Sequence, residues 1–230
     1  MEQIKINDRL LTAVSYVREG RTFADIGTDH AYLPIFLLDK GIISKAIAAD
    51  INVGPLEKAK ENIHKYGYAD QMRTVLCDGL TKISSEDADD IAIFGMGGEL
   101  IVKIIDEASW LKNSEKRLIL QPMTHPEKLR EYLSDNGYMI LGETLSYDRG
   151  KIYQTICAEY DGIIRSFDDF TLLFGEKILQ DGSPLLLDLL ISVKNQLHRR
   201  VEGKTAGGDE VISELSLLAE IEKYIERLIL

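Results

Sequence analysis

The sequence is poor in the residues that build disulfide frameworks and metal sites. It has two cysteines, Cys77 and Cys157, each inside an apolar stretch, and four histidines without a His-Glu-x-x-His spacing. A cysteine scaffold, a zinc site and a metal-dependent catalytic centre therefore have no support in the sequence. With 5 prolines and 18 glycines among 230 residues, it also lacks the composition of collagen or of low-complexity segments.

Long hydrophobic runs are also missing. Residues 185–190, one of the longest apolar stretches, contain Asp188 and fall far short of the roughly 20 residues that cross a bilayer. The first eight residues include two acids and no apolar core of the kind found in signal peptides. We therefore expect a cytoplasmic protein without a membrane-spanning segment.

Basic residues are in the minority. The chain has 27 lysines and arginines against 38 aspartates and glutamates, which gives a net charge of −11. This balance argues against a protein that holds nucleic acid through its overall charge, so any such site must be a local basic patch. The 45% hydrophobic and 28% charged residues are typical of an ordinary globular protein.

From residue 22 onward, short apolar runs alternate with longer amphipathic ones. This pattern predicts strands at residues 22–26, 45–50, 72–77, 90–94 and 117–120 and helices at residues 32–39, 55–66, 99–106 and 126–136. Residues 138–146 and 151–159 are predicted to form a closing hairpin. Continuous Val, Ile, Ala and Leu runs are typical of buried parallel strands, so we expect an α/β fold with a doubly wound sheet.

The two ends of the chain are predicted to be helical. The first 20 residues have mostly helical spacing, with Asn7 or Asp8 as the cap. Beyond residue 161 the strand signal disappears, and helices are predicted at residues 167–179, 185–201 and about 209–230, with a glycine-rich break at 203–208. The last two carry apolar stripes that suit an antiparallel, coiled-coil-like hairpin. We therefore predict two domains, residues 1–160 and 161–230.

The segment Asp-Ile-Gly-Thr-Asp-His at residues 25–30 carries the strongest chemical signal. It leaves the first strand and opens a helix, as nucleotide-binding turns do. The dinucleotide fingerprint is absent, because Asp29 and Tyr32 occupy the positions of its second and third glycines. This makes a nicotinamide dehydrogenase improbable. Carboxylates at Asp25 and Asp29 suit the sulfonium and ammonium cations of S-adenosylmethionine better, with a capping aspartate as the structural alternative.

Two more acids follow the next two strands. Asp50 ends the second strand, where a carboxylate can accept hydrogen bonds from ribose hydroxyls. Asp78 follows the third, where it can accept from an adenine amine while Gly79 lets the backbone come close. Each acid alone could be a solvated cap. Together they mark the carboxyl edge of the sheet, where open α/β sheets bind ligands.

The fourth and fifth strands end in different ways. Gly95, Met96 and Gly97 follow the fourth and leave room for a flat ligand, with a flexible turn as the alternative. Gln121 follows the fifth and could hydrogen-bond a base edge, with a structural loop as the alternative. The Asp/Asn-Pro-Pro-aromatic tetrapeptide, with which methyltransferases acting on exocyclic amines usually hold the amine, is not in this sequence.

Three motifs resemble the bacterial tRNA (adenine-N1)-methyltransferase family that modifies adenine 22 in the D-arm. They are Asp-Ile-Gly-Thr-Asp-His-Ala-Tyr-Leu-Pro at residues 25–34, Gly-Met-Gly-Gly at 95–98 and Leu-Gln-Pro at 120–122. The resemblance covers essentially the whole chain. It implies a class I Rossmann-like domain with a seven-stranded sheet, S-adenosylmethionine as donor with S-adenosylhomocysteine as product, and a coiled-coil domain that helps to hold tRNA.

These considerations give a set of candidate site residues. For the donor they are Asp25, Gly27, Thr28, His30, Asp50, Ile51, Asp78, Gly79, Gly95, Met96 and Gly97. Adenine N1 has an in-plane lone pair, so catalysis can be mostly positioning. Asp29 is the catalytic candidate: it accepts from the exocyclic amine and favours the charge that develops on the ring, or alternatively it holds the donor's amino group.

The target base must be unpaired or turned out, because N1 lies on its Watson–Crick edge. Tyr32 is the candidate stacking surface, with a core-facing aromatic as the alternative. Lys194, Arg199 and Arg200 are the candidate tRNA contacts, in a basic window that includes His198 and Lys204; a solvated helix end is the alternative. We expect a monomer.

Two other functions stay open at this point. One is a small-molecule methyltransferase. The projecting helical hairpin argues against it, because a small substrate needs a lid over the pocket, whereas a long helical pair can extend across a large partner. The other is a non-catalytic S-adenosylmethionine-binding module whose hairpin mediates assembly. This non-catalytic function fits poorly with the presence of all four acids, Asp25, Asp29, Asp50 and Asp78.

Overall fold

The computed structural model describes residues 4–207 and 210–229. Its strands are β1 (Thr22–Ile26), β2 (Lys45–Asp50), β3 (Met72–Leu76), β4 (Asp90–Met96), β5 (Arg117–Pro122), β6 (Tyr138–Asp148) and β7 (Lys151–Tyr160). Its helices are α1 (Asp8–Val14), α2 (Tyr32–Asp39), α3 (Val53–Tyr66), α4 (Gly98–Glu107), α5 (Pro126–Asp135), α6 (Asp169–Phe174), α7 (Glu176–Asp181), α8 (Leu186–Gly207) and α9 (Ile212–Ile229), with a 3-10 turn at Ser109–Leu111. Within these ranges, no helix is long and apolar enough to span a bilayer.

The seven strands form one sheet in the order β3-β2-β1-β4-β5-β7-β6. The pairs between β3, β2, β1, β4 and β5 are parallel, and β7 runs antiparallel to both β5 and β6. The predicted parallel core, closing hairpin and seven-stranded Rossmann-like sheet are confirmed. Helix α1 begins after Asn7, whose side chain accepts the Leu10 N–H, so the predicted cap is also confirmed.

Helices cover both faces of this sheet, which explains the continuous apolar runs of its strands. On β1, Ala24 and Ile26 join a core with α4 and α5. Phe23 lies in a second core with α1, α2 and α3. Because side chains alternate along a strand, Asp25 shares the face of Phe23.

The boundaries of several strands differ from the prediction by one or two residues. Strands β4 and β5 each extend two residues further, to Met96 and Pro122, because these two residues pair across a register shift that follows Phe94. Gly95, with a φ of 74°, lies at this shift. The glycine-rich segment is therefore partly strand rather than wholly a turn.

The helical extension, which is the part of the chain after residue 161, differs from the prediction in two places. Residues 167–179 form two helices, α6 and α7, because Gly175 has a φ of 89° and a side chain there would collide with the Glu143 carboxylate. Helix α8 continues to Gly207, so the break predicted at 203–208 was wrong over 203–207. Within this stretch, Lys204 forms an ion pair with Glu214 of α9. Gly208 of that break, and Asp209 and Leu230 of the predicted last helix, lie outside the described residues.

A buried guanidinium joins the extension to the sheet. Arg130 on α5 is 2% exposed, and its Nε donates to Glu143 Oε1 at 2.7 Å while Nη2 donates to Gln154 Oε1 at 2.6 Å. Its Nη1 donates to the carbonyls of Leu172 and Leu173 at 2.9 and 3.1 Å. Because α6 contributes those carbonyls, one side chain fixes the extension against α5, β6 and β7.

Replacing Arg130 with alanine should lower the free energy of unfolding by about 3–5 kcal/mol, because the Glu143 carboxylate is then left buried without its partner. Arg165→Ala is the matched control. It removes an ion pair with Asp161 whose two side chains are 26% and 24% exposed, so its cost should be at most about 1 kcal/mol. Urea denaturation measures both values, and equal costs would contradict the anchoring role of Arg130.

Candidate active site

The carboxyl ends of β1 to β5 meet at one edge of the sheet, and most of the predicted site residues lie there. The parallel pairing of β1 with β2 and β4 brings the ends of three of these strands side by side. Asp25 and Asp50 lie within the ends of β1 and β2, and Asp78 lies two residues beyond β3. A group of three or more His, Cys, Asp or Glu side chains that could hold a metal ion was not found in residues 4–207 and 210–229.

The turn between β1 and α2 has a demanding backbone. Gly27, His30 and Ala31 have φ values of 74°, 61° and 58°, and only the first is a glycine. The positive φ at Gly27 favours glycine, and a side chain there would also displace the terminal methyl of Met96. The hydroxyl of Thr28 donates to Asp25 at 2.6 Å and accepts the Ala31 N–H at 3.2 Å, which ties the turn to the strand.

The two acids of this turn have opposite environments. Asp25 is 6% exposed, and burial raises the pKa of its carboxyl to about 6, although the hydrogen bond from Thr28 opposes this rise. The side chain of Asp29 is 79% exposed, with Oδ1 3.6 Å from His30 Nε2. One carboxylate is thus built into the floor of the site, and the other is open to a substrate.

The His30 ring lies beside Asp29 and contacts the ring of Tyr32. The His30 and Tyr32 rings meet edge to face with centroids 5.4 Å apart, and His30 Nδ1 lies 3.4 Å from the Tyr32 hydroxyl. Tyr32 is 36% exposed, so the interpretation of it as a core-facing aromatic was wrong. The exposed Tyr32 ring can stack on a planar base, and the exposed Asp29 carboxylate can accept a hydrogen bond from a base edge.

The ends of β2 and β3 have polar groups and an exposed apolar group. The Asn52 N–H donates to Asp50 Oδ1 at 2.6 Å and orients that carboxylate. Ile51 beside it is 59% exposed, and Asp78 is exposed as well. Gly79 has a φ of 52°, and a side chain there would collide with Ile104. Its small size serves packing against α4.

The glycines after β4 divide into two kinds. Gly95 is exposed, and a side chain there would meet open space, so it alone leaves the backbone accessible from the edge. Gly97 and Gly98 face the loop after β5: side chains at these positions would press on Thr124 and on the His125 carbonyl. The Gly98 N–H donates to the Thr124 carbonyl at 2.7 Å, which joins this turn to that loop.

Gln121 does not face the open edge, which corrects its prediction as a base contact. It is fully buried, and its amide nitrogen donates to the Arg9 carbonyl at 3.1 Å and to Thr155 Oγ1 at 2.8 Å. Its amide oxygen accepts from Arg9 Nη1 at 3.2 Å. Since these bonds occupy the side chain, Gln121 holds α1 against the sheet rather than a base.

These contacts also give Arg9 a place that the sequence did not suggest. The guanidinium lies 5.4 Å from the centroid of the Tyr153 ring, and it lowers the pKa of Asp25 through its charge, against the larger effect of burial. Arg9 and Gln121 are more than 100 residues apart in the chain. Only the fold brings them together, and no local pattern could have found the pair.

The basic window on α8 is partly neutralised by α9. Lys194 Nζ and His198 Nε2 lie 3.6 and 3.8 Å from the same oxygen of Glu222, and Lys204 pairs with Glu214. Arg199 and Arg200 have no acidic partner within 4 Å in the described parts of the chain. Of the three predicted tRNA contacts, Lys194 is therefore paired, whereas Arg199 and Arg200 are available to phosphates.

A groove of about 1250 Å³ lies between the extension and the sheet. The loop after β5 and the turn between β6 and β7 line one side, and helices α6, α8 and α9 line the other. Arg200 and Lys151 are among its basic lining residues, and Leu189 and Leu197 are among its apolar side chains. The groove therefore runs from the carboxyl edge of β5 towards the free arginine of α8.

Asp25→Asn should stabilise the protein at neutral pH. The carboxyl has a pKa of about 6 in the folded protein against its ordinary 3.8, so the folded state binds the proton more tightly and the free energy of unfolding falls as the pH rises through this interval. Asparagine does not ionise and avoids that loss. Thermal melts should show a gain in Tm over wild type that is full above pH about 6 and fades towards pH about 4.

The exposed Asp70 provides the control for this pH profile. Asp70→Asn removes a carboxylate that is not buried, so its change in Tm should hardly vary over the same pH range. If the two variants gave the same profile, burial of Asp25 would not be the cause.

Comparison with known proteins identifies the family. A model described as a methyltransferase domain matches residues 6–156. The chain is 38% identical over 170 residues to the tRNA (adenine(22)-N(1))-methyltransferase of Bacillus subtilis, an alignment that covers 71% of each protein. A Streptococcus pneumoniae crystal structure in complex with S-adenosyl-L-methionine superimposes with a TM-score of 0.83 at 29% identity, covering 94% of this chain and 99% of that one.

A second solved structure agrees. M. capricolum TrmK, in complex with S-adenosyl-homocysteine, superimposes with a TM-score of 0.77 at 26% identity and covers 96% of this chain and 98% of its own. The family model accounts for the sheet domain, and these structural matches extend over the helical extension as well. The chain therefore belongs to the methyltransferase-domain family and, within it, to the bacterial tRNA (adenine(22)-N(1))-methyltransferases.

Proposed function

We propose that this protein transfers the methyl group of S-adenosylmethionine to N1 of adenine 22 in the D-arm of tRNA. The observation that carries the proposal is the presence, in and beside one short turn, of a buried Asp25, an exposed Asp29 and the exposed ring of Tyr32, with the His30 ring between the last two. This turn offers a charged floor for a cationic donor and an open edge for a planar acceptor.

The residues at the carboxyl edge fit S-adenosylmethionine. Its sulfonium and ammonium groups are cations that favour the ionised form of Asp25, and its ribose hydroxyls can donate to the oriented carboxylate of Asp50. Ile51 offers an exposed apolar surface, and Asp78 an acceptor, for the adenine ring of the donor. When bound, the donor supplies an activated methyl group to an attacking nitrogen.

The target adenine needs orientation more than proton transfer. Its N1 lone pair lies in the ring plane and attacks without first losing a proton, so holding the base near the methyl group supplies most of the rate. Asp29 accepts from the exocyclic amine and stabilises the positive charge that develops on the methylated ring. Tyr32 stacks on the base once it has left the D-arm helix.

The two parts of the chain have different binding roles. Residues 1–160 hold the donor and the target base, and residues 161–230 hold the tRNA. Arg199 and Arg200 contact phosphates, and the groove beside Arg200 gives the RNA a route to the carboxyl edge. With a net charge of −11, the protein depends on such local cations rather than on its overall charge to hold tRNA. A cytoplasmic location and a monomeric state stay predictions.

The first test is methyl transfer from labelled S-adenosylmethionine to tRNA transcripts with adenine or guanine at position 22. We expect 1-methyladenosine in the adenine transcript and no label in the guanine transcript. Tight donor binding without transfer to either would favour a small-molecule methyltransferase or a non-catalytic module instead.

Asp29→Ala should lower kcat by about 100-fold or more, because the group that stabilises the transition-state charge is lost. If Asp29 faces the adenine, the donor Kd stays close to that of wild type; a matching rise in that Kd would assign Asp29 to the donor's amino group. Asp70→Ala, an exposed aspartate at the opposite edge of the sheet, is the control and should keep full activity.

The double variant Arg199→Ala/Arg200→Ala should raise KM for tRNA and flatten its salt dependence. Each lost phosphate contact reduces the slope of log affinity against log salt by roughly 0.7–0.9. Lys204→Ala is the matched control, because Glu214 already neutralises that lysine. Equal salt slopes in wild type, double variant and control would exclude α8 as the tRNA contact.

A further inference from the structure

We propose that Asn62, on α3, is a positioning residue for the target adenine. Its side-chain amide holds the backbone of the turn that carries Asp29 and Tyr32, and this sets where those two side chains project. The inference rests on the proposed function, which assigns Asp29 and Tyr32 to the acceptor base, and it adds a residue outside all three motifs of the family.

The turn needs an external hold because of its backbone. His30 and Ala31 are consecutive residues with φ values of 61° and 58°. Residues with a Cβ atom disfavour this left-handed region, since the Cβ crowds the following carbonyl oxygen. Such a conformation persists only where surrounding groups fix it, and it is characteristic of functional turns.

Two side chains fix the turn from opposite sides. Thr28, inside the turn, accepts the Ala31 N–H through its hydroxyl at 3.2 Å. Asn62 reaches in from another helix, and its Nδ2 donates to the His30 carbonyl at 2.9 Å. The peptide between His30 and Ala31 is therefore held through the carbonyl on one side and through the following N–H on the other.

The position of His30 affects the two exposed side chains, Asp29 and Tyr32. Its ring lies between the Asp29 carboxylate, 3.6 Å away, and the Tyr32 hydroxyl, 3.4 Å away. A rotation of the His30 peptide would move both neighbours at once. Because positioning carries most of this reaction, a shift of about 1 Å can cost roughly 100-fold in rate.

Local stability does not explain why asparagine stands at this position. Asn62 lies inside α3, where asparagine has a weaker helix propensity than alanine. A residue that served only the helix would be improved by the change to alanine. The hydrogen bond to the turn, by contrast, requires a side-chain N–H donor at this distance.

The test compares Asn62→Ala, Asn62→Gln and the control Asn136→Ala. Asn136 also donates its side-chain amide to a backbone carbonyl, that of Tyr132 at 3.0 Å, but it does so at the end of α5, away from the carboxyl edge. For each protein, kcat and KM are measured with tRNA at saturating donor, the donor Kd by calorimetry, and Tm by thermal melting.

We expect kcat of Asn62→Ala to fall at least tenfold, with the donor Kd changed less than threefold and Tm not below that of the control. Asn62→Gln, which keeps the amide donor, should recover most of the lost kcat. The proposal is overturned if Asn62→Ala loses no more activity than Asn136→Ala, if the donor Kd rises as much as kcat falls, or if glutamine rescues no better than alanine.

Hydrogen exchange separates this inference from the proposed function. The amides of residues 27–33 should exchange faster in Asn62→Ala than in wild type, and at the wild-type rate in Asn136→Ala. This comparison needs no substrate. A wild-type protein that does not methylate adenine 22 would overturn the proposed function, whereas unchanged exchange in Asn62→Ala would overturn the role of Asn62.

Discussion

The structure depends on the central position of β1 in its sheet. This strand pairs in parallel with β2 on one side and β4 on the other, and helices bury both of its faces. Its carboxyl end opens at the edge where β2, β3, β4 and β5 also end. The chain turns there directly into α2, and the residues of this turn line the candidate site.

That turn places two aspartate side chains in different environments. Asp25 and Asp29 are four residues apart, yet one is nine-tenths buried beneath a threonine hydroxyl and the other stands in solvent. Burial makes the charge of the first responsive to a nearby cation, because the ionised form lacks water around it. Exposure leaves the second free to meet a substrate that arrives from outside.

The helical extension is held to this site by polar contacts. The guanidinium of Arg130 satisfies Glu143, Gln154 and two carbonyls of α6, where an apolar side chain could have satisfied none of them. The same α5 begins after the loop that touches Gly98 at the carboxyl edge. The position of α8 relative to that edge is thus fixed through α5, together with the apolar core that Leu145 of β6 and Ile152 of β7 share with the extension.

The sequence by itself determined the succession of strands and helices along the sheet domain, the closing hairpin and the acids at the strand ends. Hydrophobic periodicity and short motifs are local properties, and for this reason the sequence shows them directly. It also determined the family, through the three motifs. The tertiary structure decided the exposure of Tyr32, the burial of Gln121 against Arg9, the neutralisation of Lys194 by Glu222, and the hold of Asn62 on the turn. Each of these depends on contacts between residues far apart in the chain, which periodicity cannot encode.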